Sequence, residues 1–162
     1  MTSTLKVDTI QGKSTAGTVA MPSGSVVQVV HTRYGTYQMT TSSSYVEITG
    51  LATTITPKFQ TSKMLLSIGL ASGNTDENNN NYFKLLRDTT DLQIFSRLPH
   101  MGADGGHIQM YQSVDYYDDH NSSSAITYKI QWKTAGGNLR LNDYDGSAGD
   151  AHSSITIMEI MQ

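Results

Sequence analysis

Residues 126–132 of the chain read ITYKIQW, with an apolar or aromatic residue at every second position. In a β-strand this alternation places Ile126, Tyr128, Ile130 and Trp132 on one face and the polar residues between them on the other. The stretch 64–70, MLLSIGL, repeats the pattern, and the stretch 108–114, IQMYQSV, repeats it less purely. These segments predict strands with one buried face, and they place Trp132 in the core.

Shorter strand candidates are spread over the rest of the chain, at 26–32, 45–48, 82–87, 92–95, 139–141 and 154–161. Stretches rich in Gly, Asn, Asp and Ser separate them, at 72–81, 100–106, 117–124, 133–138 and 142–152. Helical periodicity is nearly absent. About ten short strands with turn signals between them predict an all-β, antiparallel sandwich or barrel.

The first 24 residues have a different character from the rest. They contain two short stretches with strand-like alternation, separated by a loop-like run, QGKSTAG, and ended by Pro22-Ser23-Gly24. Two such short strands cannot form a core of their own. We therefore predict an extended arm over 1–24 and a sandwich domain over 25–162. The residues expected to make the arm's contacts with other chains are Leu5, Lys6, Val7, Asp8, Thr9, Ile10, Thr18, Val19 and Met21.

Composition excludes several classes of function. Of 162 residues, 37% are hydrophobic and 15% charged, the net charge is −3, and no basic run exists, so nucleic acid is not expected as a partner. The chain has no cysteine, which excludes disulfides and thiolate metal sites. Neither an apolar run of membrane-spanning length nor a signal-peptide core is visible, so we expect synthesis in a cytoplasm and no membrane partner.

No pattern in the sequence identifies an enzyme. The five His residues form no HExxH or HxH motif, no GxSxG occurs, and adjacent carboxylates of a strand point to opposite faces. Asp115, Asp118, Asp119 and His120 could bind a cation, but no calcium-loop spacing is present and a solvated loop is the favoured interpretation. The segment 142–150 is likewise interpreted as a turn region. We assign no catalytic, cofactor-binding or metal-binding residue.

The last strand candidate, SSITIMEIMQ (153–162), is apolar on both faces. Ile155 and Ile157 lie on one face, and Met158 and Ile160 lie on the other. An edge strand of a monomer normally has one wet face. We therefore predict that these four residues contribute to a subunit interface; a central strand covered by a loop is the alternative.

Several segments together resemble virion structural proteins of tailed phages, particularly those of cyanobacterial and marine hosts. Residues 3–30 (STLKVDTIQGKSTAGTVAMPSGSVVQVV) resemble the N-terminal segment of such proteins. Residues 55–73 (ITPKFQTSKMLLSIGLASG), 125–142 and 153–162 resemble strands of the jelly-roll domains in phage fibres and capsid decoration proteins. The resemblance implies an antiparallel jelly-roll sandwich, similar in layout to the trimeric C1q/tumour-necrosis-factor domain, and a homotrimer.

Two roles are compatible with this resemblance. In the first, the chain is a capsid decoration, or cement, protein on the outer capsid surface, and its arm binds the major capsid protein or another virion protein. In the second, it is a tail- or head-fibre protein that binds a host surface glycan or protein. The candidate contacts for the second role are Tyr116, Tyr117, Asp118, Asp119 and His120. Because the sequence has no heptads or repeats that could form a shaft, we favour decoration; a glycan-processing enzyme is disfavoured since no acid/base pair can be named.

Overall fold

The computed structural model describes residues 22–75, 80–98, 108–144, 147–148 and 151–162. These residues form twelve β-strands. In chain order the strands are β1 (Val26–Tyr34), β2 (Gln38–Thr40), β3 (Val46–Ile55), β4 (Lys63–Asn74), β5 (Asn81–Arg87), β6 (Thr90–Leu98), β7 (Ile108–Asp118), β8 (Ile126–Thr134), β9 (Leu139–Leu141), β10 (Asp143–Tyr144), β11 (Ser147–Ala148) and β12 (Ser153–Ile160). Within the described ranges, no helix is long and apolar enough to cross a membrane.

The long strands form two antiparallel sheets that pack as a sandwich. The first sheet has the order β1-β12-β4-β7, and the short strands β9 and β2 continue it beside the far half of β4. The second sheet has the order β3-β8-β5-β6, and β10 and β11 form a two-stranded sheet. Taken in chain order, the eight long strands are arranged 1-8-3-6 in one sheet and 2-7-4-5 in the other, which is the jelly-roll order. The predicted fold class is confirmed.

The core lies between the two sheets and is built by the alternation seen in the sequence. The side chains of β8 are buried at Ile126, Tyr128, Ile130 and Trp132 and half-buried between them. Phe83 packs beside Trp132, with ring centroids 6.5 Å apart. The inner positions of β4 and β12 supply the facing layer, which includes Met64, Leu66, Ile68, Leu70, Ile155 and Ile157. Burial of these side chains is the main stabilising contribution to the fold.

Two local features shape the sheets at positions that the sequence pattern does not predict. Asn142 has φ 56°, and its side-chain amide donates to the carbonyl oxygens of Tyr34 (2.9 Å) and Thr36 (3.1 Å), which ties the end of β9 to the end of β1. Gly50 has φ 87° at the bulge of β3, a backbone conformation that favours glycine. A Cβ at Gly50 would also lie 2.8 Å from the Tyr34 ring.

Candidate functional site

The arm's proposed contact residues, Leu5 to Ile10 and Thr18 to Met21, lie outside the described residues. The described residues begin at Pro22, where the chain approaches the end of β12. The backbone N–H of Gly24 donates to the carbonyl of Met161 (2.8 Å), and the N–H of Met161 donates to the carbonyl of Ser25 (2.9 Å). The link between the arm and the sandwich is therefore held beside the last residues of the first sheet.

The expected interface on β12 needs a correction. Ile155 and Ile157 are fully buried between the two sheets of the chain itself, so they are not available to another subunit. Met158 and Ile160 lie on the outer face of the first sheet and are half-buried by neighbouring strands. The two faces of β12 are thus both apolar, as the sequence indicates, but only the outer pair can contact a partner.

Met158 belongs to a row of apolar side chains that crosses the outer face of the first sheet. The strand register places Val29, Met158, Leu65 and Tyr117 side by side on β1, β12, β4 and β7. The end members are the most exposed, Val29 at 55% and Tyr117 at 52%. We call these four residues the apolar row. Val26 and Ile160 lie beside it at the end of the sheet where the chain arrives from Gly24.

Polar side chains flank the apolar row. His31, Thr156, Ser67 and Asp115 form the next row along the strands, and the Nδ1 of His31 is 2.8 Å from the hydroxyl of Thr156. On the other side, Lys63 forms an ion pair with Asp119. The apolar row therefore lies between polar side chains on the outer face, and contiguous exposed apolar surface marks contact sites.

The predicted ligand loop, Tyr116 to His120, also needs correction. Tyr116, Tyr117 and Asp118 belong to β7, because that strand pairs with β4 over its whole length, up to Asp118 opposite Met64. Tyr116 packs against the core, and Asp118 and His120 are buried. Only Tyr117 and Asp119 are exposed, so the five side chains do not form one accessible surface.

Asp118 is a buried carboxylate held between two sheets. The guanidinium of Arg87 donates to both of its oxygens at 2.9 Å, and the hydroxyl of Tyr128 donates to Oδ2 at 2.6 Å. Burial, and then the hydrogen bond to Asp118, raises the pKa of Tyr128 above its usual range. These contacts join β5, β7 and β8, which explains why an aspartate is tolerated at an inward position.

Glu159 forms a second buried polar cluster at the same end of the sandwich. Its carboxylate accepts from the backbone N–H groups of Lys58 (2.9 Å) and Phe59 (3.0 Å), from the hydroxyl of Ser62 (2.6 Å) and from the amide of Gln28. Burial by itself raises the pKa of Glu159, but these hydrogen bonds together outweigh it and lower the pKa below the ordinary value. The carboxylate therefore stays charged and fixes the turn before β4.

His120 contacts this second cluster through Ser62. The Nε2 of His120 is 3.4 Å from the Ser62 hydroxyl, and its Nδ1 accepts from the N–H of Ser122 at 3.0 Å. A Ser-His-Glu set invites comparison with a catalytic triad, but the Glu contacts the Ser instead of the His, and Ser62 is fully buried. The set serves as a structural brace of the β3–β4 turn.

No metal site is formed in the described part of the chain: no three His, Asp or Glu side chains come together there. The residue that sequence reasoning missed is Glu159. The signal was present, because period-two alternation places Glu159 on the same face as Ile155 and Ile157. A carboxylate on a core face needs several donors, and those come from the distant segment 58–62, which the sequence does not reveal.

Comparisons with known proteins yield weak structural likenesses only. No family model matches the chain, and no curated protein is significantly similar to it. Among solved structures, the VP2 subviral particle of infectious bursal disease virus has a TM-score of 0.43 at 12% identity, over 83% of this chain and 37% of that one. A mutant VP2 of the same virus in T=1 particles has 0.45 at 8%, over 96% and 41%. The structure of the Gx strain of that virus has 0.44 at 11%, over 98% and 42%. The chain thus spans about two fifths of these proteins' length.

Proposed function

We propose that the protein is a non-enzymatic virion structural protein, a homotrimeric capsid decoration protein that binds the outer capsid surface through residues 1–24. The observation that carries the proposal is the apolar row on the outer face of a sheet whose inner face is already packed. Val29 and Tyr117 are more than half exposed, and Met158 and Leu65 lie between them. Such a face is stabilised when another subunit covers it. The likeness of segments 3–30 and 55–73 to phage virion proteins supplies the class of assembly.

The arm would make the second contact, to the shell. It joins the sandwich at Gly24, beside Met161 and next to the end of the outer face that carries Val26 and Ile160. Arms of neighbouring subunits would then leave the trimer close to its contact surface. The short alternating stretches of the arm would add strands to sheet edges of capsid subunits, with main-chain hydrogen bonds giving the affinity. Three arms on one trimer add avidity.

The effect on the shell follows from mass action. A protein that binds the assembled shell but not its free subunits stabilises the assembled state in proportion to its occupancy. No bond is made or broken, so neither a cofactor nor a metal is part of the proposal.

The experiment is deletion of residues 2–24, followed by sedimentation of capsids with bound protein. We expect the truncated chain to remain a folded trimer and to lose capsid binding. A control variant with residues 2–21 in scrambled order keeps the arm's length and composition. If the strand-like alternation is needed, this variant should also lose capsid binding. Truncated protein that still coats shells would refute the role of the arm.

The alternative is a fibre or receptor-binding protein. It is favoured by one observation, the exposure of Tyr117 and Asp119 at the end of β7, since exposed tyrosines suit glycan and protein contacts. In this role the purified protein would label host cells, and Tyr117→Ala would abolish labelling while leaving its amount in virions unchanged. Tyr37→Ala, at a half-buried position outside the apolar row, is the control.

A further inference from the structure

The outer face of the first sheet has opposite charge at its two edges. The positive charge is that of Arg33, which lies on β1 at one edge with an exposed side chain, and the exposed His31 lies next to it on the same face. Asp115 lies on β7, at the other edge, also exposed. Within the described ranges, neither Arg33 nor Asp115 forms an ion pair. The other acid near this face, Asp119, is already paired with Lys63.

These charges are too far apart to neutralise each other within one chain. Four strands, β1, β12, β4 and β7, span the face, so its edges are three inter-strand spacings apart, about 14 Å. A direct ion pair requires about 4 Å between the charged atoms. His31 and Asp115 occupy the same row, and Arg33 lies one side-chain position further along β1. Among the residues that the structure describes, nothing matches the charges of Arg33 and Asp115, so both can pair with charges on another molecule.

We propose that the occupant of this face is a second copy of the same chain, placed head-to-tail around a three-fold axis. The β1 edge of each subunit meets the β7 edge of the next, so that Arg33 and His31 face Asp115 while the apolar rows meet at the axis. This inference rests on the proposed homotrimer and specifies how it is built. When a head-to-tail contact is repeated by a rotation of 120°, the subunits form a closed ring, and every β1 edge and every β7 edge has a partner.

The dimensions of the face suit this arrangement. Adjoining edge strands must stay at least about 5 Å apart, so three faces about 14 Å wide form a triangle with sides of about 24 Å, and the midpoints of the sheets lie about 7 Å from the central axis. Packed sheets are about 10 Å apart, so each sheet fills about 5 Å on its own side. Met158 and Leu65, at the middle of the apolar row, would fill most of the space around the axis.

The test is charge reversal in the full-length chain, followed by analytical ultracentrifugation over a range of concentrations. The wild type is expected near 53 kDa, about three times the 17.7 kDa chain. Asp115→Arg and Arg33→Asp should each raise the dissociation constant of the trimer about tenfold or more, because each sets like charges against each other. The double variant restores an opposite pair and should recover most of the affinity.

Asp91→Arg is the matched control, because it makes the same change of charge on the opposite sheet, where Asp91 pairs with Lys84. It should leave the trimer intact. Single variants that assemble like the wild type, or a double variant no better than the singles, would overturn the edge-to-edge contact. A wild-type dimer would overturn the three-fold arrangement.

The outcomes separate this inference from the proposed function. A trimer insensitive to both reversals overturns the contact and leaves a trimeric decoration protein standing. A trimer that responds as expected but never binds capsids supports the contact and overturns the decoration role. A monomeric wild type overturns both the contact and the trimer.

Discussion

Replacing Glu159 by glutamine is the sharpest perturbation of the structure, because it replaces a single oxygen atom by an amide nitrogen in the centre of a buried network. The carboxylate accepts from Lys58, Phe59, Ser62 and Gln28, and each of its two oxygens is used. In Glu159→Gln one oxygen becomes an amide group, which is a donor. The new NH2 group then faces another donor, either the side-chain amide of Gln28 or a backbone N–H group. The remaining hydrogen bonds are weaker because their acceptor is no longer charged.

The expected loss of stability is about 3 kcal/mol. Hydrogen bonds to a charged group contribute about 1.5–3 kcal/mol each and neutral ones about 0.5–1.5 kcal/mol, so three weakened bonds cost about 3 kcal/mol together. The fourth hydrogen bond is lost outright, which raises the loss of stability by about 2 kcal/mol. The variant no longer buries a charge, and this lowers the loss of stability by a similar amount. The matched control is Glu47→Gln, because Glu47 is exposed and has a single surface ion pair with Lys129, for which we expect less than about 1 kcal/mol.

Urea denaturation followed by the fluorescence of Trp132, the single tryptophan, measures both variants at one fixed protein concentration. The pKa of Glu159 is lowered in the folded state, so its contribution is complete above the ordinary value of 4.5 and is lost as the pH falls through the folded pKa. The wild type should therefore weaken in that acidic window, and Glu159→Gln should weaken less. A loss below 1 kcal/mol with an unchanged pH profile would refute the bracing role of Glu159.

Two further predictions concern single positions. Tyr128→Phe removes the hydroxyl that donates to Asp118 but leaves both hydrogen bonds from Arg87. We expect the free energy of unfolding to fall by about 1–2 kcal/mol in the same denaturation assay. An unchanged free energy of unfolding would mean that this hydrogen bond does not stabilise the fold. Ile157→Ala should cost about 2–5 kcal/mol of folding stability, whereas Met158→Ala on the outer face should chiefly weaken subunit association in ultracentrifugation; equal effects of the two on folding would contradict the assignment of faces.

Period-two alternation was sufficient to predict the sandwich. The strands around 64–70, 108–114 and 126–132 form where the pattern places them, and Trp132 is in the core. Strand 139–141 has the predicted bounds. Alternation works here because one face of each long strand must be buried, and this requirement acts on each residue locally.

Features that depend on distant partners were not predictable. Residues 117–118 have the composition of a turn, yet they continue β7, because pairing with Met64 and Leu65 satisfies their backbone groups. The short strand β2 has no alternation of its own and exists through its pairing with β9. The interface residues were assigned to both faces of β12, since a sequence cannot tell which of two apolar faces the second sheet covers.

The copy number of the protein in purified virions tests the central claim most directly. Quantitative mass spectrometry against the major capsid protein gives this number without any assumption about the contact surfaces. A decoration protein predicts hundreds of copies per particle. A few tens of copies or fewer would contradict decoration and favour a fibre, and absence from virions would contradict a virion structural role altogether.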